Sequence, residues 1–451
     1  MEKTICAIST PIGNGGISIV RISGKDSISI VNKICSKDIN TFEPRKLYLT
    51  KITTQNFFDN ALVVFFKAPN SYTGENMIEI QCHGGVQIAK GILNELIING
   101  ATLATAGEFT KIAFLNGKIS LEKAEGIIDM INAESEAGIK AGYNLLSGKL
   151  NKKINALQGY LTDCLAEMEV ALDYPEEDID YTNNCKINNY LNDTKSQIEQ
   201  LLLTCTTGKQ VKNGINVLIL GKPNVGKSSL LNALLGYDRA IVCDIAGTTR
   251  DTVEESFNFN GMCFNVIDTA GIRQSDNVVE NIGIEKARNS LNIADIVLVV
   301  LDKSRKLDKE DEEILTLCKN HKVILVLNKD DLQEKIDINN KLLKDFSSNT
   351  INVSAYNLSN INQLKQKMFD MVVNNNILSS QILITNSRHE EALLNAKKSI
   401  DNAINLLKEN KELELIILEV KNAWLELGKI TGQNSNEEII NTIFSKFCLG
   451  K

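Results

Sequence analysis

The chain is 451 residues long, 43% hydrophobic and 23% charged, the balance of an ordinary soluble globular protein of about two to four domains. Its net charge of −7 excludes broad electrostatic attraction to nucleic acid, so any RNA contact must come from a local basic patch or a partner. Ten cysteines without a C-x-x-C spacing and only three histidines exclude a zinc motif and a disulfide framework, as suits a reducing compartment. No apolar run reaches the roughly 18 residues of a membrane span, and MEKTICAIST lacks a signal peptide's order. A cytoplasmic protein with no membrane partner is expected.

Within residues 1–118, alternation predicts strands over Thr4–Ile8, Gly16–Ile22, Leu47–Ile52, Ala61–Phe66 and Met77–Gln81. Helical periodicity predicts helices near Lys25–Cys35 and Val86–Ile98, completing an α+β domain. Gly13-Asn14-Gly15-Gly16 and His83-Gly84-Gly85 read as tight connections, with His83 structural. From Leu121 to Leu172 breakers thin out and long helices are expected until Pro175, with a further helix over Ile187–Thr204. Residues 212–374 then read as an α/β domain, and helix resumes from His389 to the end. The expected organisation is an N-terminal domain (1–118) and one discontinuous helical domain (119–211 and 375–451) that carries residues 212–374 as an insertion. Insertion is geometrically easy because the termini of a domain often lie close together.

Residues 214–229, GINVLILGKPNVGKSS, organise the rest. Val217–Leu220 reads as a buried parallel strand, and Gly221-x-x-x-x-Gly226-Lys227-Ser228 follows it before an apolar helix. Glycine is required because successive backbone N–H groups must curl around phosphate oxygens, with a helix N-terminus behind them. Asn224, Val225, Gly226, Lys227, Ser228 and Ser229 form this expected phosphate site; Lys227 reaches the outer phosphates and the Ser228 hydroxyl faces Mg²⁺.

Three further motifs follow in order, each at the end of an apolar strand, where open parallel sheets bind ligands. Asp268-Thr269-Ala270-Gly271 closes Phe264–Ile267 and brings a carboxylate near the metal and a glycine N–H near the third phosphate. Asn328-Lys329-Asp330-Asp331 closes Val323–Leu327, and Ser354-Ala355 closes Thr350–Val353. Asp331 can accept from both the ring N–H and the exocyclic amine of guanine, and adenine offers no such donor pair. The set reads as a Ras-like P-loop domain that binds GTP and GDP rather than ATP.

Between the phosphate loop and Asp268, Cys243-Asp244-Ile245-Ala246-Gly247-Thr248-Thr249-Arg250-Asp251 has the polarity of a loop that orders over GTP. Thr249 is the expected second Mg²⁺ ligand, with Thr248 as runner-up. Ile272 stands where Ras-like proteins carry a water-positioning glutamine, so another group must orient water. Glu280 is the nearest carboxylate of suitable reach, and a solvated loop charge is its other reading.

These strings resemble the MnmE (TrmE) family of tRNA-modification GTPases: Pro223–Ser228, Gly247–Asp251 and Asp268–Arg273 in the nucleotide domain, Arg21-Ile22-Ser23-Gly24, Tyr72-Thr73-Gly74-Glu75, His83-Gly84-Gly85 and Gly107-Glu108-Phe109 before it, and the closing Phe447-Cys448-Leu449-Gly450-Lys451. The resemblance covers the whole chain. It implies an N-terminal tetrahydrofolate-binding domain that dimerises, and a K⁺-activated GTPase whose two G domains meet across their active sites. On that basis K⁺ is held by Asn224 with carbonyls of Cys243, Ile245 and Thr248, and offsets charge developing between the outer phosphates. Glu280 takes the water-orienting role, and Arg273 assists. The folate positions, for 5-formyltetrahydrofolate or a related tetrahydrofolate, fall on Arg21, Glu79 and Lys118, with Lys451 nearby. Without the resemblance these would read as ordinary surface charges. Cys448 has C-a-a-X spacing, but Gly450 and the terminal Lys451 rule out prenylation. The resemblance implies a thiol that serves the modification chemistry; a structural cysteine is the other reading.

The implied function is modification of the wobble uridine of certain tRNAs at carbon five, in a heterotetramer of a homodimer with MnmG, the partner that alone brings FAD. The rival from another class is a ribosome-assembly or other regulatory GTPase switch that does no chemistry on RNA. Against it stand the N-terminal strings and the lack of a recognisable RNA-binding module after the G domain.

Overall fold

The computed structural model describes residues 3–173, 180–236, 253–267, 289–337, 341–373, 382–433 and 437–451. The chain divides into two compact units, one of Met1–Ile128, Leu145–Lys195 and Asn395–Lys451, the other of Asp129–Asn144 and Ser196–Leu394.

The first unit holds a six-stranded sheet of β1 (Ile5–Ile8), β2 (Ile17–Ser23), β3 (Leu47–Thr53), β4 (Phe58–Phe66), β5 (Met77–His83) and β6 (Thr102–Leu103), in the order β3-β4-β5-β2-β1-β6. Only β1 and β6 run parallel. Strand alternation decides the two faces. Ile78, Ile80 and Cys82 of β5 are buried in a core that includes Ile92 and Leu96 of the helix Val86–Ile98, whereas Glu79 and Gln81 face the other way.

The expected β4 began at Ala61 and the observed strand begins three residues earlier, because Asp59 occupies an inward position. A charged residue there masks the alternation. Asp59 is only 8% exposed and accepts from the His83 backbone N–H at 2.9 Å while pairing with its Nδ1 at 2.6 Å. The first helix is Ser27–Asn32, shorter than expected, because Cys35 is drawn into an extended bridge with Ile52. The helix Glu108–Leu115 was not expected from the sequence.

Also in this unit, the helix Lys149–Asp173 packs along Leu413–Thr431, and Gln158 Nε2 donates to the Trp424 carbonyl at 3.1 Å. The helical run from Leu121 is broken into Leu121–Ile131, Glu136–Leu146 and Lys149–Asp173, and its stretch Asp129–Asn144 belongs to the second unit. Gly148, at φ +75°, makes the second break in a backbone region that L side chains rarely enter. The last helix, Glu437–Phe444, delivers Phe444 and Phe447 into a cluster with Leu121 and Ala124.

In the second unit a sheet of six strands, β7 (Ile215–Leu220), β8 (Val253–Phe259), β9 (Met262–Ile267), β10 (Ile296–Asp302), β11 (Val323–Asn328) and β12 (Thr350–Asn352), has the order β12-β11-β10-β7-β9-β8. All neighbours are parallel except the edge pair β8 and β9. Successive residues of β7 enter different cores, Val217 and Ile219 one and Leu218 the other, so both faces are covered. Such strands read as continuous apolar runs. Asp129–Asn144 belongs to this unit: Lys212 pairs with Asp129 at 2.8 Å, the Ala137 N–H donates to Gly261 at 3.0 Å, and Ala141 enters the core. Among the described residues no helix is long and apolar enough to cross a membrane.

Candidate functional site

The phosphate loop starts where β7 ends. Gly221 turns the chain so tightly that a Cβ there would stand 2.5 Å from the Val300 carbonyl oxygen. Asn224 (φ +63°) and Gly226 (φ +96°) both take left-handed conformations, and Gly226 caps the helix Lys227–Leu235. A Cβ on Gly226 would lie 2.2 Å from Asn328 Nδ2, so only glycine fits between the loop and that side chain. Fully buried Val225 anchors the loop in the core. Lys227 Nζ spans the loop and donates to the carbonyls of Gly221 (2.8 Å) and Lys222 (2.7 Å), and burial lowers its pKa. Ser228 and Ser229 lie in the first turn, where helical N–H groups lack intrahelical partners. Loop amides, helix end and ammonium together suit a polyphosphate.

Asn328 fastens this loop to the next. It is 2% exposed; its Nδ2 donates to the Val225 carbonyl at 2.9 Å, and its Oδ1 accepts from the Ala355 N–H at 3.1 Å. Ser354 Oγ donates to Asp331 Oδ1 at 2.5 Å, which orients the carboxylate. Lys329, itself left-handed at φ +65°, pairs with Asp302 Oδ2 at 2.6 Å. Burial would raise the Asp302 pKa, but Lys329 and two Ser304 donors outweigh it and hold the carboxyl below its usual range. Asp302 was not among the expected site residues; its signal was an acid ending the apolar run IVLVVLD.

Three loops at the carboxyl ends of β7, β11 and β12 are therefore joined through Asn328, Asp331 and Ser354. The expected positions Cys243, Ile245, Thr248, Thr249, Asp268, Thr269, Ala270, Gly271, Arg273 and Glu280 lie outside the described residues.

A separate cluster forms on the first unit's sheet. Arg21 of β2 and Glu79 of β5 are register partners, with Nε and Nη2 donating to Oε1 at 3.0 and 2.7 Å. The guanidinium carbon stands 5.7 Å from the Tyr72 ring centre and 5.6 Å from that of Phe109. The chain's end returns to this place: Gly450 O accepts from Arg21 Nη1 and from Ser9 Oγ, both at 3.2 Å. Burial first, and then the charge of Arg21, lowers the Lys451 pKa, while nearby Cys448 opposes that shift. Cys448 is exposed. Lys118 sits farther along, its Nζ donating to the Pro69 carbonyl at 2.9 Å and its stem against Gly74, in the loop that also carries Tyr72. Both Arg21 donors converge on the same oxygen of Glu79, Oε1. Arg21, Glu79, Cys448 and Lys451 are thus gathered from the two ends of the sequence.

The TrmE N-terminus family of GTP-binding proteins matches residues 4–118, and the MnmE helical domain family matches residues 121–448. The chain is 43% identical over 458 residues to the tRNA modification GTPase MnmE of Clostridioides difficile (strain 630), covering 100% of each. It is 41% identical over 456 residues to the protein of the same name from Lactobacillus gasseri, covering 99% of this chain and 98% of that one. The solved G domain of the T. maritima FeoB iron transporter is 28% identical, covers 35% of this chain and 99% of its own, and gives a TM-score of 0.28. With a helical-domain match over most of its length and end-to-end similarity to two such relatives, the chain belongs to the MnmE (TrmE) family.

Proposed function

We infer that this protein is a GTP hydrolase that acts in tRNA modification. The observation that carries the nucleotide part is the double use of Asn328, whose amide ties the phosphate loop to the Ser354–Ala355 loop beside Asp331. Phosphate and base recognition are then mechanically one site. Asp331 reads the guanine edge, Lys227 and the loop amides take the phosphates, and Ser228 with Thr249 holds Mg²⁺.

The finer reading is a K⁺-activated enzyme. Asn224, Cys243, Ile245 and Thr248 supply the oxygen ligands, Glu280 orients water, and Arg273 assists. The left-handed backbone at Asn224, within the phosphate loop, supports the first of these. Bound Mg²⁺ and K⁺ supply positive charge where the transition state gains negative charge, and a bound tetrahydrofolate supplies the carbon to be transferred. Arg21, Glu79, Lys118 and Lys451 hold that folate, with Cys448 beside it. The protein works in the cytoplasm as a homodimer with MnmG and its FAD, on carbon five of the wobble uridine of tRNA.

Two measurements test this. Wobble-nucleoside analysis of tRNA from cells lacking the protein should show the unmodified uridine; an unchanged profile removes the tRNA reading. GTP turnover of the purified chain should be at least tenfold faster in K⁺ than in Na⁺ buffer, and equal rates remove the K⁺ reading while leaving GTP binding intact.

A further inference from the structure

The segment after the base-reading residues is built in a way that edge recognition does not require. Ser354 and Ser359 exchange backbone hydrogen bonds at 3.3 and 3.1 Å, closing residues 354–359 into one turn. Within it the Asn357 N–H donates to Ser354 Oγ at 3.2 Å, and at its base Asn360 Nδ2 donates to the Asn352 carbonyl at 2.9 Å. Leu358 (φ +58°) and Asn360 (φ +61°) are both left-handed, a backbone conformation that a leucine rarely adopts. Strain of this kind collects at ligand clamps. The turn presents Tyr356, 89% exposed and immediately after Ala355, whose N–H is fixed by Asn328.

We propose that Tyr356 is the stacking platform for the purine face of the bound nucleotide. This rests on the guanine-nucleotide reading above. Asp331 and the Ala355 loop meet the edge of the base, and an edge contact leaves its two faces to be covered. A tyrosine on a tightly closed turn supplies a flat apolar surface with only two side-chain torsions to fix, at low entropic cost. It directly follows Ala355, whose N–H is held by Asn328, and so is carried on the loop that meets the edge of the base. The platform reads the face of a purine, so it adds affinity without adding discrimination between guanine and other purines of like stacking strength.

The test uses the full chain and GDP. Tyr356→Ala should weaken GDP binding about tenfold, whereas Tyr356→Phe should stay within about twofold, because stacking needs the ring and not the hydroxyl. The alanine variant should lose the same factor for inosine diphosphate. In Tyr356→Trp, indole fluorescence should change with GDP and not with 5-phosphoribosyl diphosphate, which has the sugar phosphates and no base. Unaltered GDP affinity in Tyr356→Ala, or a loss shared equally by the phenylalanine variant, overturns the stacking role. A parent chain that binds GDP no better than ADP overturns the guanine reading itself, and the inference with it.

Discussion

Arg21 and Glu79 stand opposite each other on neighbouring antiparallel strands, and both guanidinium donors converge on one carboxylate oxygen while Nη1 reaches the Gly450 carbonyl from the other end of the chain. One side chain thereby links two strands and the C-terminus. With side chains only 17% and 14% exposed, neither member is a freely solvated surface charge.

Glu79→Gln should keep the fold, because amide and carboxylate have the same shape. It should weaken binding of 5-formyltetrahydrofolate about tenfold to a hundredfold, the worth of a hydrogen bond to a charged group. Isothermal titration of the full chain reads this directly, and parent-like affinity in the variant removes Glu79 from the folate site.

Asp331→Asn should lose GTP and gain xanthosine triphosphate, since the amide donates where guanine also donates and xanthine accepts. Competition between the two nucleotides measures it. Ser354 Oγ, now beside the amide, can reverse its own hydroxyl and keep the loop in place.

Lys227 gives a pH prediction. Burial lowers its pKa in the free protein, and bound phosphates favour the charged form. In the alkaline window between the lowered value and the ordinary lysine value, nucleotide binding should therefore take up a proton and weaken as pH rises. In that window the folded chain carries fewer protons on this group than the unfolded chain, so this contribution to stability grows with pH. Calorimetry of GDP binding in two buffers of different ionisation enthalpy, repeated as pH is raised toward the ordinary lysine value, should show proton uptake that sets in within that alkaline window.

Gly450→Ala should free the C-terminus. Gly450 has φ +87°, and a Cβ there would stand 2.4 Å from the Ile8 carbonyl oxygen. Backbone strain and overlap act together, so the variant's last residues should be trimmed by carboxypeptidase much faster than the parent's. Equal trimming would show that the docked end tolerates the methyl group.

The described cysteines should divide by burial. Burial pushes the thiols of Cys6, Cys164 and Cys318 up to about 12 and those of Cys82 and Cys205 up to about 11, so very little thiolate exists there at neutral pH. Iodoacetamide at about pH 8 should label exposed Cys448 at least tenfold faster than any of these five, and unfolding in urea should erase the difference. Peptide mapping by mass reads the ratio.

The sequence by itself determined the nucleotide domain, because its chemistry is local. A phosphate loop needs glycine at fixed offsets and a strand before it, and a base-reading carboxylate needs a strand end beneath it, so Gly221–Ser228, Asn328–Asp331 and Ser354–Ala355 were legible as strings. Helix Val86–Ile98 was legible to the residue for the same reason, its apolar period being unbroken. Contacts between distant residues were not legible, because no period or spacing encodes them. Only the tertiary structure placed Asn328 between two loops, put Asp302 against Lys329, turned Asp59 inward beneath His83, and assigned Asp129–Asn144 to the nucleotide-binding unit. The contact of Arg21 with Gly450, 429 residues away, is the extreme case: each looks unremarkable in its own stretch of chain, and backbone geometry at Gly450 together with strand register at Arg21 decides that they meet.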